Sequence, residues 1–139
     1  MRVDDGDVYP NRRTVIVIDD DLGFVFWLGH LLDEFGFAAF PARTIRDAEE
    51  LRHELRLEPD LIIVNAALPG TAEFISQLRL EGGRFKVVAV AQHIDQPVAP
   101  EIGAVAVRAK PSGRDEAAKL QWLRLVQGLL STETNSAPT

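Results

Sequence analysis

Apolar residues in this chain form short runs that alternate with longer stretches of helical periodicity. The short, β-rich runs lie at 14–18, 37–40, 61–65, 86–90 and 104–108, and four of them are apolar except for one end residue: Thr14, Asn65, Lys86 or Arg108. Strands that are apolar at consecutive positions are buried on both faces, which is typical of a parallel sheet covered by helices. The pattern therefore predicts a three-layer α/β sandwich built on five parallel strands.

Helical spacing of apolar residues follows four of these runs, over 22–35, 44–57, 71–80 and 113–130. The connection after the fourth run, 91–103, is short and holds Pro97 and Pro100, each of which removes a backbone donor and disfavours helix before it. We expect the fourth helix of the alternation to be short or irregular. A flavodoxin-like strand order, 2-1-3-4-5, is the closure that this alternation favours.

Size and composition indicate one domain. The chain has 139 residues, 46% of them hydrophobic, which is enough to bury a core without disulfides. Both ends are polar, and we expect a flexible N-terminal tail over 1–12, a domain over 13–131 and a flexible C-terminal tail over 132–139.

Charge and cysteine content exclude several classes of function. A net charge of -6 disfavours nucleic acid as a partner, because binding a polyanion requires a concentrated basic face. No apolar run is long enough to span a membrane, and the charged N-terminus lacks the apolar core of a secretory signal. The absence of cysteine excludes disulfides and thiolate metal sites, and agrees with a cytoplasmic location.

Polar residues gather where the predicted strands end, and these ends share one edge of a parallel sheet. The polar residues at the ends are, in chain order, Asp19, Asp20, Asp21, Asn65 and Lys110, and Ala91 stands at the end of the fourth strand. An acid pair facing a lysine suits Mg²⁺ and an anion such as phosphate.

These residues and their setting resemble a response-regulator receiver domain of two-component signalling, without gaps from residue 14 to about 91. Asp19 and Asp20 match the acid pair of receivers, and Lys110 matches the lysine of their Lys-Pro pair. The stretch "PDLIIVNAALPG", residues 59–70, fits the setting of the phosphoacceptor, but Asn65 stands where receivers carry aspartate. Ala91 stands where they carry a Thr or Ser, and Val107 where a Tyr or Phe is usual.

The departures indicate that phosphoryl chemistry is lost. An amide oxygen carries no charge, so Asn65 is not phosphorylatable and is a poor metal ligand. Asp19 and Asp20 would bind Mg²⁺ weakly, if at all, and no cofactor is required. The alternative to a residual receiver pocket is that these acids only mark the junction of strand and helix, with Asp20 or Asp21 capping the first helix. Lys110 either forms a structural ion pair or contacts an anion.

The resemblance implies a phosphorylation-independent pseudo-receiver that acts in signal transduction through protein–protein contact, with a protein partner or with itself. No enzyme activity is expected, and DNA binding or catalysis would belong to a partner or to another part of the gene product. One alternative is an atypical receiver that binds Mg²⁺ and is phosphorylated at another acid. A second is a small-molecule binding module that uses the vacated crevice.

Extra apolar residues on the first and last helices predict a contact surface. Val25 and Phe26 fall outside the core stripe of the first helix, and Trp122 and Leu125 form a second apolar face on the last. Because these helices lie side by side in receivers, the four residues are expected to merge into one partner surface. The alternative is that both helices are buried more deeply than usual.

Overall fold

One parallel sheet runs through the computed structural model, which describes residues 12–93 and 97–136. Its strands are β1 (Thr14–Ile18), β2 (Ala38–Ala42), β3 (Leu61–Asn65), β4 (Lys86–Ala91) and β5 (Ala106–Ala109). They pair in the order β2-β1-β3-β4-β5, with every pairing parallel. The predicted α/β sandwich and its strand order are confirmed.

Four α-helices connect or follow the strands in the described part of the chain. They are α1 (Leu22–Glu34), α2 (Ile45–Leu55), α3 (Thr71–Leu80) and α4 (Glu116–Ser136). Side-chain N-caps begin two of these helices. Asp21 accepts a hydrogen bond from the Phe24 N–H at 3.2 Å, and Thr44 Oγ1 accepts one from the Asp47 N–H at 3.0 Å. None of the helices described is both long and apolar enough to cross a membrane.

The last helix is longer than the sequence predicted. It continues to Ser136 instead of ending at Leu130, so residues 132–136, assigned above to the flexible tail, are helical. Residues 1–11 of the predicted N-terminal tail and residues 137–139 lie outside the described residues. Arg12, which was also assigned to the tail, donates to the backbone oxygens of Gly36 and Phe37 at 3.2 and 2.9 Å.

Where receivers place a fourth helix, the described part of the connection holds a single 3₁₀ turn, Pro100–Ile102. Ile102 is almost fully buried, and its carbonyl accepts a hydrogen bond from Arg79 Nη1 at 3.0 Å. Ile102, with the partly buried Val98 and Ala104 beside it, thus covers this part of the sheet. The expectation of a short or irregular element is confirmed.

The core consists of two apolar clusters, one on each face of the sheet. Alternate residues of β1 supply both, because successive side chains of a strand point to opposite faces. Val15 and Val17 pack with α1 and α4, whereas Ile16 and Ile18 pack with α2 and α3. The sheet is therefore covered on both sides, as consecutive apolar strand positions require.

The predicted partner surface is wrong for two of its four residues. Val25 is 1% exposed and Trp122 is 5% exposed, and both belong to the cluster between the sheet and α1 and α4. The Trp122 ring packs edge-on against Phe24, with the ring centroids 5.6 Å apart. Deeper burial of the two helices explains these side chains, because their second apolar faces meet the sheet and each other.

The other two residues do not form one surface. Phe26 is 59% exposed and lies beside Pro41 of the edge strand β2. Leu125 is half-buried and lines a groove with Arg108 at the opposite edge, β5. The sheet separates them, so Phe26 is the only one of the four that presents a large exposed apolar side chain.

Candidate functional site

The carboxyl edge of the sheet brings together three residues that are distant in sequence. Asp19 directly follows β1, Asn65 ends β3, and Lys110 directly follows β5. The Lys110 N–H donates to the carbonyl of Ala91, the last residue of β4, at 3.1 Å. The parallel register therefore places the predicted site residues of four strands at one edge.

Asp19 is the centre of this site and is fully buried. Its Oδ1 accepts hydrogen bonds from the Asp21 N–H at 3.0 Å, from Asn65 Nδ2 at 3.3 Å and from Lys110 Nζ at 3.1 Å. Its Oδ2 also lies 3.1 Å from Lys110 Nζ, as an ion-pair contact without hydrogen-bond alignment. The buried carboxylate is therefore compensated by one cation and two neutral donors, as a buried charge requires.

Lys110 binds the acids rather than pointing away from the domain. Its side chain is 15% exposed, and Nζ lies 3.7 Å from Asp21 Oδ2 in addition to its contacts with Asp19. The ammonium also lies 5.9 Å from the centroid of the Phe24 ring, a favourable distance for a cation–π contact. Of the two roles left open for Lys110, the structure contains the ion pair.

Asn65 connects the site to the loop after β3. Its Oδ1 accepts a hydrogen bond from the Ala67 N–H at 2.9 Å, which leaves Nδ2 to donate to Asp19. An acid in this orientation would place a second carboxylate oxygen about as close to Asp19 as the amide nitrogen now lies, and like charges at that distance repel. The amide thus supplies a donor at the point where an acid would need a cation.

The three consecutive acids after β1 have different surroundings. Asp21 caps α1, lies 3.7 Å from Lys110 and lies 3.9 Å from Arg114 Nη2. Asp20 is exposed. Lys110 therefore faces Asp19 and Asp21, instead of the expected pair Asp19 and Asp20. Sequence reasoning did not identify Arg114, because it belongs to no motif and was placed in the predicted last helix, 113–130, whereas that helix begins at Glu116 and Arg114 lies in the loop before it.

Two positions that carry functional side chains in receivers hold small or aliphatic residues here. Ala91 is 1% exposed at the end of β4, pairs with Ala109 of β5 and offers no hydroxyl. Val107 lies in β5 and is half-buried.

The residues present fit Mg²⁺ poorly. Hard cations require several oxygen ligands, but Asp19 Oδ1 already accepts three hydrogen bonds, and Asn65 turns its NH₂ group toward the site. No group of three His, Cys, Asp or Glu side chains that could hold a metal occurs within residues 12–93 and 97–136.

Comparison with known proteins gives a likeness to solved structures alone. No protein-family model matches the sequence, and no curated protein matches it. The fold is similar to a response regulator receiver protein from Burkholderia phymatum, with 27% identity, a TM-score of 0.67 and coverage of 86% of this chain and 96% of that one.

Two further solved structures agree with this likeness. One is the N-terminal domain of a response regulator/sensory box/GGDEF 3-domain protein from Carboxydothermus hydrogenoformans, at 17% identity and TM-score 0.67, covering 89% of this chain and 99% of that one. The other is a response regulator from Thermotoga maritima, at 21% identity and TM-score 0.66, covering 86% and 98%. The chain has the fold of response-regulator receiver domains.

Proposed function

We propose that this chain is a pseudo-receiver, which keeps the receiver fold, takes no phosphoryl group and acts in signal transduction through protein contact. Its likeness to receiver domains supports the signalling role. The loss of phosphoryl transfer rests on one observation, the Asn65 amide held between the Ala67 N–H and the Asp19 carboxylate.

The chemistry of Asn65 is unsuitable for accepting phosphate. Attack on phosphorus requires an anionic or activated oxygen, and a carboxamide oxygen is neither. This oxygen is also engaged with a backbone N–H, and the side facing the acids is the NH₂ group. A nucleophile is therefore lacking at the position where receivers carry one.

The surrounding residues add two further obstacles. Ala91 provides no hydroxyl to hydrogen-bond a phosphoryl oxygen. Lys110, the cation that would meet such a group, is held by Asp19 and Asp21. We expect Mg²⁺ to bind weakly, because it would have to displace Lys110 and the Asn65 amide from Asp19.

Intact-mass measurement with acetyl phosphate and Mg²⁺ tests this function. We expect no stable gain of one phosphoryl group by the parent chain. The double variant Asn65→Asp with Ala91→Thr is the matched comparison, because it supplies the carboxylate and the hydroxyl at unchanged backbone positions.

A phosphoryl adduct on the parent chain would overturn the proposal. If that adduct disappeared in Asp20→Asn, phosphorylation at this exposed acid would be favoured instead. Equal labelling of the parent and the double variant would show that neither Asn65 nor Ala91 decides the outcome.

A further inference from the structure

An open apolar groove runs along the edge of the domain, away from the strand ends. Its main part has a volume of about 520 Å³ between α1, β2 and α2, and a neighbouring hollow of about 320 Å³ extends it along α1. Phe26, Val25 and Pro41 line both parts. Phe26 is 59% exposed and Leu22 is 39% exposed, so an aromatic and an aliphatic side chain one helical turn apart face solvent here. These two side chains give the groove an apolar floor that is open to solvent.

The outward backbone positions of β2 offer no free N–H donor to an added strand, which restricts what the groove can hold. The Ala38 N–H donates to the Arg13 carbonyl, and the Ala42 carbonyl accepts from the Asp19 N–H, so both residues bond toward β1. Because backbone groups of successive strand residues point to opposite sides, the N–H and carbonyl groups of residues 39 and 41 point away from β1. The Ala39 N–H donates to Asp33 Oδ1 at 3.2 Å, and Pro41 has no N–H. Neither outward position offers a free donor, and an edge treated in this way resists strand addition.

The charges around the groove define the chemistry of an occupant. Asp47, Glu50 and Glu54 project from α2 into its lining, against one guanidinium, Arg43. The Arg46–Glu50 pair, at 3.4 Å, is too exposed to neutralise this side appreciably. The rim is therefore acidic beside an apolar floor.

We propose that this groove binds a basic amphipathic helix of a partner protein, with the apolar stripe of that helix on Leu22 and Phe26 and its lysines or arginines on the α2 acids. Helices bind grooves through apolar side chains spaced at i, i+3 or i+4. Complementary charge then determines which of several possible helices binds. The inference takes from the proposed function only that the chain acts through protein contact. The acidic rim disfavours a second copy of this chain, whose net charge is -6.

Fluorescence anisotropy with a labelled amphipathic peptide of leucine and lysine tests this inference, in the absence of any phosphoryl donor. A leucine and glutamate peptide of the same pattern is the charge control. We expect the lysine peptide to bind the parent and the glutamate peptide not to bind. Phe26→Ser should weaken binding about tenfold or more. Leu120→Ser, at an α4 residue that is 46% exposed, should leave it unchanged.

A second variant tests the charged rim separately. Glu50→Lys combined with Glu54→Lys leaves Leu22 and Phe26 in place. The double variant should bind the lysine peptide more weakly than the parent does, and its thermal unfolding should stay close to that of the parent. No binding by the parent, or equal losses in Phe26→Ser and Leu120→Ser, would overturn the inference. So would a dimer in sedimentation that Phe26→Ser dissociates, because the occupant would then be a second copy. Phosphorylation of the parent would overturn the proposed function and leave this result standing.

Discussion

At the scale of single residues, the Asn65 amide provides the site with a hydrogen-bond donor beside a buried acid. Nδ2 of Asn65 donates to a carboxylate that is fully buried, and Lys110 neutralises the same carboxylate. The buried charge of Asp19 is therefore compensated by groups of the protein itself.

The residue-scale prediction is that Asn65→Asp destabilises the domain and makes its stability depend on Mg²⁺. The variant loses a hydrogen bond to Asp19 and brings two carboxylates together, which should lower the free energy of unfolding by about 1 to 3 kcal/mol without metal. Mg²⁺ should recover much of this loss by binding between the acids. Urea unfolding with and without MgCl₂ measures both effects.

Asn65→Ala is the control for this prediction, since it loses the same hydrogen bond and adds no charge. We expect it to be destabilised as well, but to gain nothing from MgCl₂ beyond what the parent gains. If Asn65→Asp also failed to respond to Mg²⁺, the proximity of position 65 to Asp19 would not be sufficient to form a metal site.

At the scale of secondary-structure elements, α1 serves two surfaces with neighbouring residues. Val25 is in the core and Phe26 is directed to solvent beside β2. Successive residues of a helix are about 100° apart around its axis, so a shift of one position changes core into surface. The boundary between the buried and the exposed face of α1 therefore lies between these two residues.

The element-scale prediction compares the same substitution at these adjacent positions. Val25→Ser removes buried methyl groups and buries a hydroxyl, so it should cost about 2 to 4 kcal/mol of unfolding free energy. Phe26→Ser changes a mainly exposed side chain and should stay within about 0.5 kcal/mol of the parent. Thermal and urea unfolding followed by circular dichroism distinguishes them. A large loss in Phe26→Ser would place that ring in the core and remove the basis of the groove.

At the scale of the whole molecule, the sheet couples two cores that share no helix. The cluster with α1 and α4 holds Val15 and Val17, and the cluster with α2 and α3 holds Ile16 and Ile18. Because alternate residues of the same buried strand supply both clusters, losing one cluster exposes the strand that organises the other. The domain should therefore unfold in one cooperative transition.

Ile75→Val tests this coupling. Ile75 is fully buried in the cluster with α2 and α3, and loss of one methylene there should cost about 0.5 to 1.5 kcal/mol. Both tryptophans of the chain, Trp27 and Trp122, pack in or against the other cluster. We expect tryptophan fluorescence and far-ultraviolet circular dichroism to report the same reduced midpoint. An unshifted fluorescence transition would mean that the two faces unfold separately.

The sequence by itself determined the elements and the layer that each strand occupies. Consecutive apolar positions at 15–18 and 61–64 favour strands buried on both faces, and alternating such strands with helices favours the order 2-1-3-4-5, which is confirmed. The gathering of Asp19, Asn65 and Lys110 was predictable for the same reason, because the carboxyl ends of parallel strands share one edge. Local periodicity and topology are sufficient for these conclusions.

Only the tertiary structure decided which side chains face a neighbour and which face solvent. Val25 and Trp122 have the same apolar character as Phe26, yet the first two are buried because the sheet and the adjoining helix cover them. In the same way, Lys110 meets Asp21 rather than Asp20, since Asp21 caps the start of α1 with Oδ2 3.7 Å from Lys110 Nζ, whereas Asp20 is exposed. Burial and ion pairing depend on groups distant in sequence, and a residue's own type and spacing do not specify their positions.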